Sequence, residues 1–419
     1  MPPEATSDAV AAVDADETID PDAITSPAGG SRPARADTSV DTSCDTSADR
    51  STDGHPTHRR WFPTTAVLVY LACRLLTVVA VAVADLRTHN SIVADLTTWD
   101  GTWFLRAVRH GYPAHLPMVD GHVAANPIAF FPLFPLIVRG LAALGIAPGA
   151  GALLLSGATG ASAVVAVGFL ARRLAGDRAA RRAALLFAVF PGTFAFSFAY
   201  SEGIVVTCVG FGLLALLDRR FWLAGVLGAV ATAASPVALA FVVSCAWSGI
   251  RAARAEGRPG PLVAPVLAPA GCAAYMVYLW IHTGTTNAWR LTEHGGWHSW
   301  PSATYPFRIL WAFLHDPVSP TLTGHILFVG TVAAVIGTVL MVKEHQPAPV
   351  FLFGVCAAGA AALSQPVGLR PRFLMLAFPM VIAAGTRYRG WTHRALVVVS
   401  FVLLVLMTIL ETGSHAVFP

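Results

Sequence analysis

Long apolar runs, separated by short polar segments rich in Arg, fill the chain after residue 61. A membrane-crossing helix needs about 20 mostly apolar residues. The pattern therefore predicts an all-α polytopic membrane protein. The runs lie at 62–84, 127–147, 150–171, 183–199, 203–217, 221–250, 262–282, 321–342, 348–364, 373–386 and 395–410.

Basic clusters between the runs limit how many of them cross the bilayer, because short loops rich in Arg and Lys lie on the cytoplasmic side. An even number of crossings must separate the clusters near Arg60 and Arg172. The run 127–147 is interrupted by three prolines and by Arg139, so we assign it to a juxtamembrane helix. The run 221–250 is basic at both ends and is predicted to break near Ser235-Pro236.

This reasoning predicts about eleven transmembrane helices in a domain covering residues 61–419, with a cytoplasmic amino terminus and an extracytoplasmic carboxyl terminus. Two long outer loops result, at 85–149 and 283–320, and the first of them contains juxtamembrane helices. Function is expected where the polar residues of the outer face converge.

Composition supports the membrane assignment and sets the first 60 residues apart. Only 12% of the 419 residues are charged, about half the share in soluble domains. Residues 1–60 hold 12 of the 24 acids and few large apolar side chains, which predicts a disordered, acidic, cytoplasmic tail. The excess Arg of the remainder reflects loop topology, so no nucleic-acid partner is expected.

Asp100 stands in the most informative outer-loop context, Thr98-Trp99-Asp100-Gly101-Thr102-Trp103. The aromatic spacing predicts a short amphipathic helix at the membrane surface that begins near this carboxylate. There the carboxylate could serve as a general base. The alternative is that Asp100 only caps the helix.

Two outer turns carry polar groups. In Tyr200-Ser201-Glu202, a carboxylate lies between two apolar runs, which indicates either a functional group or an ordinary wet turn. Arg370 and Arg372 occupy another outer turn; Arg binds phosphate well, but lipid headgroups are an equally plausible contact.

The second long loop mixes aromatic and polar side chains, a composition shared by sugar-binding clefts and by membrane-interface belts. The chain has no Walker loop, no HExxH and no GxSxG, and the one DxD is Asp14-Ala15-Asp16 in the tail. No metal site and no cofactor are predicted. The polar and aromatic residues of this loop are Trp289, Arg290, Glu293, His294, Trp297, His298 and Trp300.

Four segments, taken in order, resemble the PIG-V-type mannosyltransferases, a GT-C family that includes the enzyme adding the second mannose of GPI anchors. The resemblance covers roughly residues 62–400, and the Lys-poor, Ala- and Arg-rich composition is that of a high-GC bacterium, here an actinobacterial member. The segments are Trp99-Asp100-Gly101 to Tyr112, Phe130 to Pro135, Ser197 to Glu202, and Arg372-Phe373 to Pro379.

The resemblance implies a GT-C-like fold and a polyprenyl-phosphate mannose donor, used on the extracytoplasmic face of the cell membrane. It implies Asp100 as the catalytic base and maps the family's YSE segment onto Tyr200, Ser201 and Glu202. Where family members often have Arg or Lys, Ser235 precedes Pro236, which shifts the expected phosphate contacts to Arg370 and Arg372. Trp99 and His294 complete the set of predicted substrate-binding residues.

The predicted reaction is a metal-independent, inverting transfer to a lipid, glycan or protein acceptor, with membrane lipids around the site. Two other functions stay open: a transporter or flippase for lipid-linked sugars, and a non-catalytic assembly subunit of the envelope. No convincing internal repeat supports a transporter.

Overall fold

The structure is a computed structural model that describes residues 61–88, 91–317 and 321–413. The predicted acidic tail, residues 1–60, lies outside the described residues. Helices dominate the described part of the chain. They are α1 Thr64–Thr88, α2 Ile92–Leu96, α3 Asp100–His110, α4 Leu133–Ala143, α5 Pro148–Ala188, α6 Glu202–Leu217, α7 Phe221–Ala234, α8 Leu239–Glu256, α9 Val263–Leu267, α10 Ala270–Thr283, α11 Ala288–Leu291, α12 Tyr305–His315, α13 Leu322–Lys343, α14 Ala348–Leu363, α15 Pro371–Leu376, α16 Pro379–Arg387 and α17 Gly390–Gly413.

Strands are confined to two short antiparallel pairs. The first, β1 (Met118–Val119) with β2 (His122–Val123), is a hairpin within the first long loop. The second joins β3 (Trp300–Pro301) to β4 (Ser364–Gln365), so it ties the second long loop to the turn after α14. The all-α fold class is therefore confirmed.

Within the described residues, five helices are long and apolar enough to cross a membrane, and up to seven if each of two bent helix pairs is one span. Three shorter apolar helices, α4, α7 and α14, accompany them. The protein is thus a multi-pass membrane protein, while the count of eleven crossings stays a prediction.

Helix α4 covers only part of the predicted run 127–147, and the predicted break within 221–250 is present. Helix α4 has 11 residues, about 16 Å of helix, which is too short to cross the hydrocarbon core of about 30 Å. The break predicted in 221–250 lies between α7 and α8, where the Ser235 hydroxyl accepts a hydrogen bond from the Val237 amide. Pro236 cannot donate the amide that would continue α7.

Segment α5 consists of two helices that meet in the basic segment, where the sequence predicts a short loop. The break between them is at Gly176, whose φ of 77° and ψ of 177° are not helical. A positive φ is open to Gly because it has no Cβ. The basic segment is therefore a kink between two helices.

The core forms where α5 packs against α6 through small residues. A Cβ on Gly210 would lie 2.9 Å from the Cβ of Ala166, so the two backbones approach closely. Small residues permit this close approach between membrane helices. The contact fixes the start of α6, which carries Glu202, against the rest of the helices.

Candidate active site

A cavity of about 900 Å³ opens between the two long loops and the starts of α6 and α15. Its wall combines carboxylates, guanidiniums and aromatic rings. Among the lining residues are Asp100, Phe130, Phe131, Ser201, Glu202, Ser235, Trp289, Arg290, Glu293, His294, Trp297, Trp300, Arg370 and Arg372. A concave site with a few convergent polar groups is the usual form of a ligand pocket.

Arg372 is the electrostatic centre of this cavity. Its Nη2 donates a 2.5 Å hydrogen bond to Oδ2 of Asp100, and its Nε lies 2.9 Å from Oε1 of Glu202. The side chains of Arg372 and Glu202 are only 8% and 9% exposed, whereas that of Asp100 is 23% exposed. Asp100 is therefore the carboxylate of the three-residue cluster that is most open to a ligand.

Aromatic rings enclose the same guanidinium. Its central carbon lies 4.6 Å from the ring centroid of Tyr200 and 4.6 Å from that of Phe373. Burial by itself lowers the pKa of Arg372, but the carboxylates of Asp100 and Glu202 outweigh burial and raise that pKa. Arg372 therefore stays a cation at every physiological pH.

Local packing explains how the Trp99-Asp100-Gly101 segment reaches Arg372. A Cβ on Gly101 would lie 3.1 Å from the Cβ of Ala199, and the Ala199 amide donates to the carbonyl of Leu96. The first loop thus lies directly on the segment before Glu202. Trp99 takes a positive φ of 56°, which turns the chain into α3 at Asp100.

The Tyr200-Ser201-Glu202 segment is held from α5. The Ser156 hydroxyl donates to the Tyr200 carbonyl at 2.9 Å and accepts from the Tyr200 amide at 3.1 Å. Glu202 is the first residue of α6, so its carboxylate lies at the positive end of the helix dipole. Both interactions fix Glu202 beside Arg372.

Arg370 precedes α15 and is 6% exposed. Burial and the positive charge of Arg372 lower the pKa of Arg370, and the charges of Tyr305, Glu411 and Asp100 oppose this shift. Arg370 and Arg372 thus border one cavity, which favours binding of an anion there.

Two acids in or near the site, Glu293 and Glu411, were not among the predicted catalytic or substrate-binding residues. Glu411 lies in α17 and is 3% exposed, and its negative charge acts on Arg370. The sequence feature that could have indicated it is an acid at the end of an apolar helix. Glu293 lines the cavity directly; burial and the charge of Asp100 raise its pKa to about 7, and a hydrogen bond with Ser299 opposes this shift. The sequence feature that could have indicated Glu293 is its position near Trp289, Trp297 and Trp300.

The predicted site residues divide into three groups. Asp100, Ser201, Glu202, Arg370, Arg372 and His294 line the cavity. Tyr200 lies behind Arg372, as its ring contact shows. Trp99 is outside the described cavity wall and packs against the hydrophobic core. The roles assigned to these residues remain predictions.

Within the described ranges, no group of three or more His, Cys, Asp or Glu side chains is arranged to hold a metal ion. The cations that line the cavity are those of Arg290, Arg370 and Arg372.

No protein-family model matches the sequence. A comparison with curated proteins also gives no match.

The fold is similar to solved structures of ArnT from Cupriavidus metallidurans. The apo structure matches with a TM-score of 0.50 and 14% identity, over 80% of this chain and 62% of that one. The structure bound to undecaprenyl phosphate matches with a TM-score of 0.51 and 13% identity, over 85% of this chain and 67% of that one. This chain therefore spans about two thirds of the length of ArnT. The likeness is one of fold, and it agrees with the predicted GT-C-like fold.

Proposed function

We propose that the protein is a membrane glycosyltransferase that moves a mannose from a polyprenyl-phosphate donor to a lipid, glycan or protein acceptor on the extracytoplasmic face. The observation that carries this proposal is the convergence of Asp100 and Glu202 on Arg372, with Arg370 on the same cavity wall. A base and a phosphate-binding group are the two elements that such a transfer requires.

The donor side of the reaction uses the guanidiniums. As the bond between the anomeric carbon and the phosphate oxygen breaks, its electron pair goes to the phosphate, whose charge grows. Arg370 stabilises this charge, and Arg372 contributes to the same positive field. Both guanidiniums line the cavity, so either can contact the donor phosphate.

The acceptor side uses Asp100. Its Oδ2 is held by Arg372, so the carboxylate is fixed in orientation while its other oxygen can accept the proton of the acceptor hydroxyl. The hydroxyl oxygen attacks the anomeric carbon from the face opposite the phosphate, and the configuration inverts, as with the base of inverting glycosidases. Glu202 keeps Arg372 in place and contacts the sugar or the acceptor.

A lipid-linked donor is supported by the setting of the cavity. The helices that surround it expose many large apolar side chains, as expected of surfaces that face lipid. ArnT, whose fold is similar, has been solved bound to undecaprenyl phosphate. Entry of the donor sideways from the bilayer is consistent with both observations.

The choice of mannose and of a PIG-V-type activity rests on the resemblance in the sequence. Its segments contribute to one cavity, since Phe130 and Phe131 of the Phe130–Pro135 segment and Phe373 of the last segment line it together with Asp100 and Glu202. The extracytoplasmic location of the site rests on the distribution of Arg between the loops.

The test is transfer by the purified full-length protein in proteoliposomes. Radiolabelled polyprenyl-phosphate mannose is supplied with acceptor lipids extracted from a high-GC bacterium, in parallel with GDP-mannose and with polyprenyl-phosphate glucose. The proposal expects a mannosylated product from the first donor alone, unaffected by EDTA. Movement of the intact donor across the bilayer without a product would instead identify a flippase.

A further inference from the structure

Glu293 is held firmly in the cavity wall by contacts between the two long loops. It lies in a π-helical turn, Thr292–Gly296, whose Thr292 hydroxyl lies 3.3 Å from the side-chain amide of Asn126. A Cβ on Gly296 would lie 2.7 Å from the Ala124 carbonyl oxygen, so the turn packs tightly against the first loop.

Contacts between aromatic rings next to the turn reinforce this packing. The ring of Trp297 meets that of Trp103 edge-on at 5.0 Å and that of Phe130 at 5.3 Å. Trp103 belongs to α3, the helix that begins at Asp100. Glu293 and Asp100 are thus carried by two segments that pack on each other and line one cavity.

The two carboxylates differ in their partners. Asp100 is paired with the Arg372 guanidinium, whereas Glu293 forms no ion pair with a described residue and is hydrogen-bonded with Ser299. A proton on Asp100 weakens its pairing with Arg372, and a proton on Glu293 breaks no such pair. A proton taken up in this cavity is therefore held more favourably by Glu293 than by Asp100.

We propose that Glu293 is a second proton-transfer residue of the reaction, which receives from Asp100 the proton of the acceptor hydroxyl and releases it to water. This inference rests on the proposed function. In the first step the acceptor oxygen bonds to the anomeric carbon, the electron pair of the broken bond goes to the phosphate, and the hydroxyl proton goes to Asp100. In the second step Glu293 takes that proton, and Asp100 regains its pairing with Arg372.

The charged and titratable groups around Glu293 set the pH at which this step operates. The pKa of Glu293 is about 7, so at neutral pH it can both accept a proton and release it. Below that pH the residue is already protonated and cannot receive another proton, so transfer is expected to fall as the pH drops through 7. The neighbouring groups are Asp100, Glu202, Arg370 and Arg372 on the cavity wall, Arg290, His294 and His298 on the same loop, His122 on β2, and Tyr275 on α10.

The experiment is the pH profile of kcat for the full-length protein in proteoliposomes, with saturating lipid-linked donor. The wild type is expected to lose activity below about pH 7. In Glu293→Gln, kcat at pH 7.5 is expected to fall by about 10²-fold, the low end for general acid–base groups, and the inflection disappears. Glu293→Asp restores the inflection, a rescue that a merely structural role does not predict.

Ser299→Ala gives an independent, milder readout. The hydrogen bond with Ser299 lowers the pKa of Glu293, so its removal is expected to move the inflection to higher pH with the fold intact. Asp120→Asn is the matched control, because Asp120 is an exposed acid in the β1–β2 turn.

The outcomes separate the two proposals. Transfer from a lipid-linked sugar with an unchanged profile in Glu293→Gln would overturn the role of Glu293 and leave the glycosyltransferase proposal standing. Absence of transfer from every polyprenyl-phosphate sugar tested would overturn both. A titrating carboxyl can also be followed without turnover, as an infrared carbonyl band that vanishes near pH 7 in the wild type. If the band intensity lost in this titration is as large in Glu293→Gln as in the wild type, the titration belongs to another group and the proposal is refuted.

Discussion

Replacing Arg372 by Met is expected to destabilise the protein strongly. The substitution removes the cation that Asp100 and Glu202 share, while keeping an unbranched apolar side chain of similar reach. Removing one partner of a buried ion pair costs about 3–5 kcal/mol, because the remaining charge is left without compensation. Glu202 is 9% exposed and Asp100 is 23% exposed, so most of the cost arises at Glu202.

We therefore expect Arg372→Met to lower the free energy of unfolding by about 3 kcal/mol. The double variant Arg372→Met/Glu202→Gln should recover about 2 kcal/mol relative to the sum of the single effects, since the neutral amide no longer needs a cation. The assay is unfolding of the protein in mixed micelles as the mole fraction of SDS rises, followed by tryptophan fluorescence.

Arg308→Met is the matched control, because Arg308 is exposed and its partners in the described part of the chain are neutral: Ser302, Gln365 and the ring of Tyr305. Its effect should stay within about 0.5 kcal/mol. A change of less than about 1 kcal/mol for Arg372→Met, or additivity of the two single effects, would refute the view that Arg372 is the buried counterion of both carboxylates.

Two further predictions concern the packing around the same cluster. Tyr200→Phe is expected to change the free energy of unfolding by less than about 0.5 kcal/mol, because the buried Tyr200 hydroxyl has no hydrogen-bond partner among the described residues. Tyr200→Ala should cost about 3 kcal/mol, because the ring is lost. Thermal unfolding in detergent compares the two variants. Gly192→Ala should lower transfer activity by about 10-fold or more, because a methyl group would overlap the Pro371 carbonyl and displace Arg372. Misplacing a functional group by about 1 Å can lower a reaction rate by about 10²-fold. Gly157→Ala, where a Cβ meets open space inside α5, should leave activity unchanged; equal losses in the two glycine variants would contradict this account.

The sequence allowed the helical class and several local features to be predicted, because each depends on short-range chemistry. Helix α3 begins at Asp100, and the run 221–250 breaks at Ser235 because Pro236 cannot continue α7. The first loop, the YSE segment and the Arg370 turn line one cavity, whereas the side of the membrane on which it lies stays a prediction.

What could not be predicted depends on side-chain distances between distant segments. Arg372 and Asp100 are 272 positions apart, and hydropathy gives no information on whether they touch or merely face one membrane side. The same limit explains why Glu293 and Glu411 were not among the predicted catalytic or substrate-binding residues. The basic segment within α5 was predicted as a loop, whereas the chain there is helical on both sides of a single non-helical residue, Gly176.

The central claim is that Asp100 is the base of a transfer from a lipid-linked sugar. Its most direct test is the initial rate of mannose transfer from radiolabelled polyprenyl-phosphate mannose by Asp100→Asn, with Asp120→Asn as the control on the same loop. Asparagine keeps the size of the side chain but cannot take up a proton. The account predicts a loss of at least about 100-fold in Asp100→Asn with donor binding retained, and an unchanged rate in the control. Normal transfer by Asp100→Asn would contradict it.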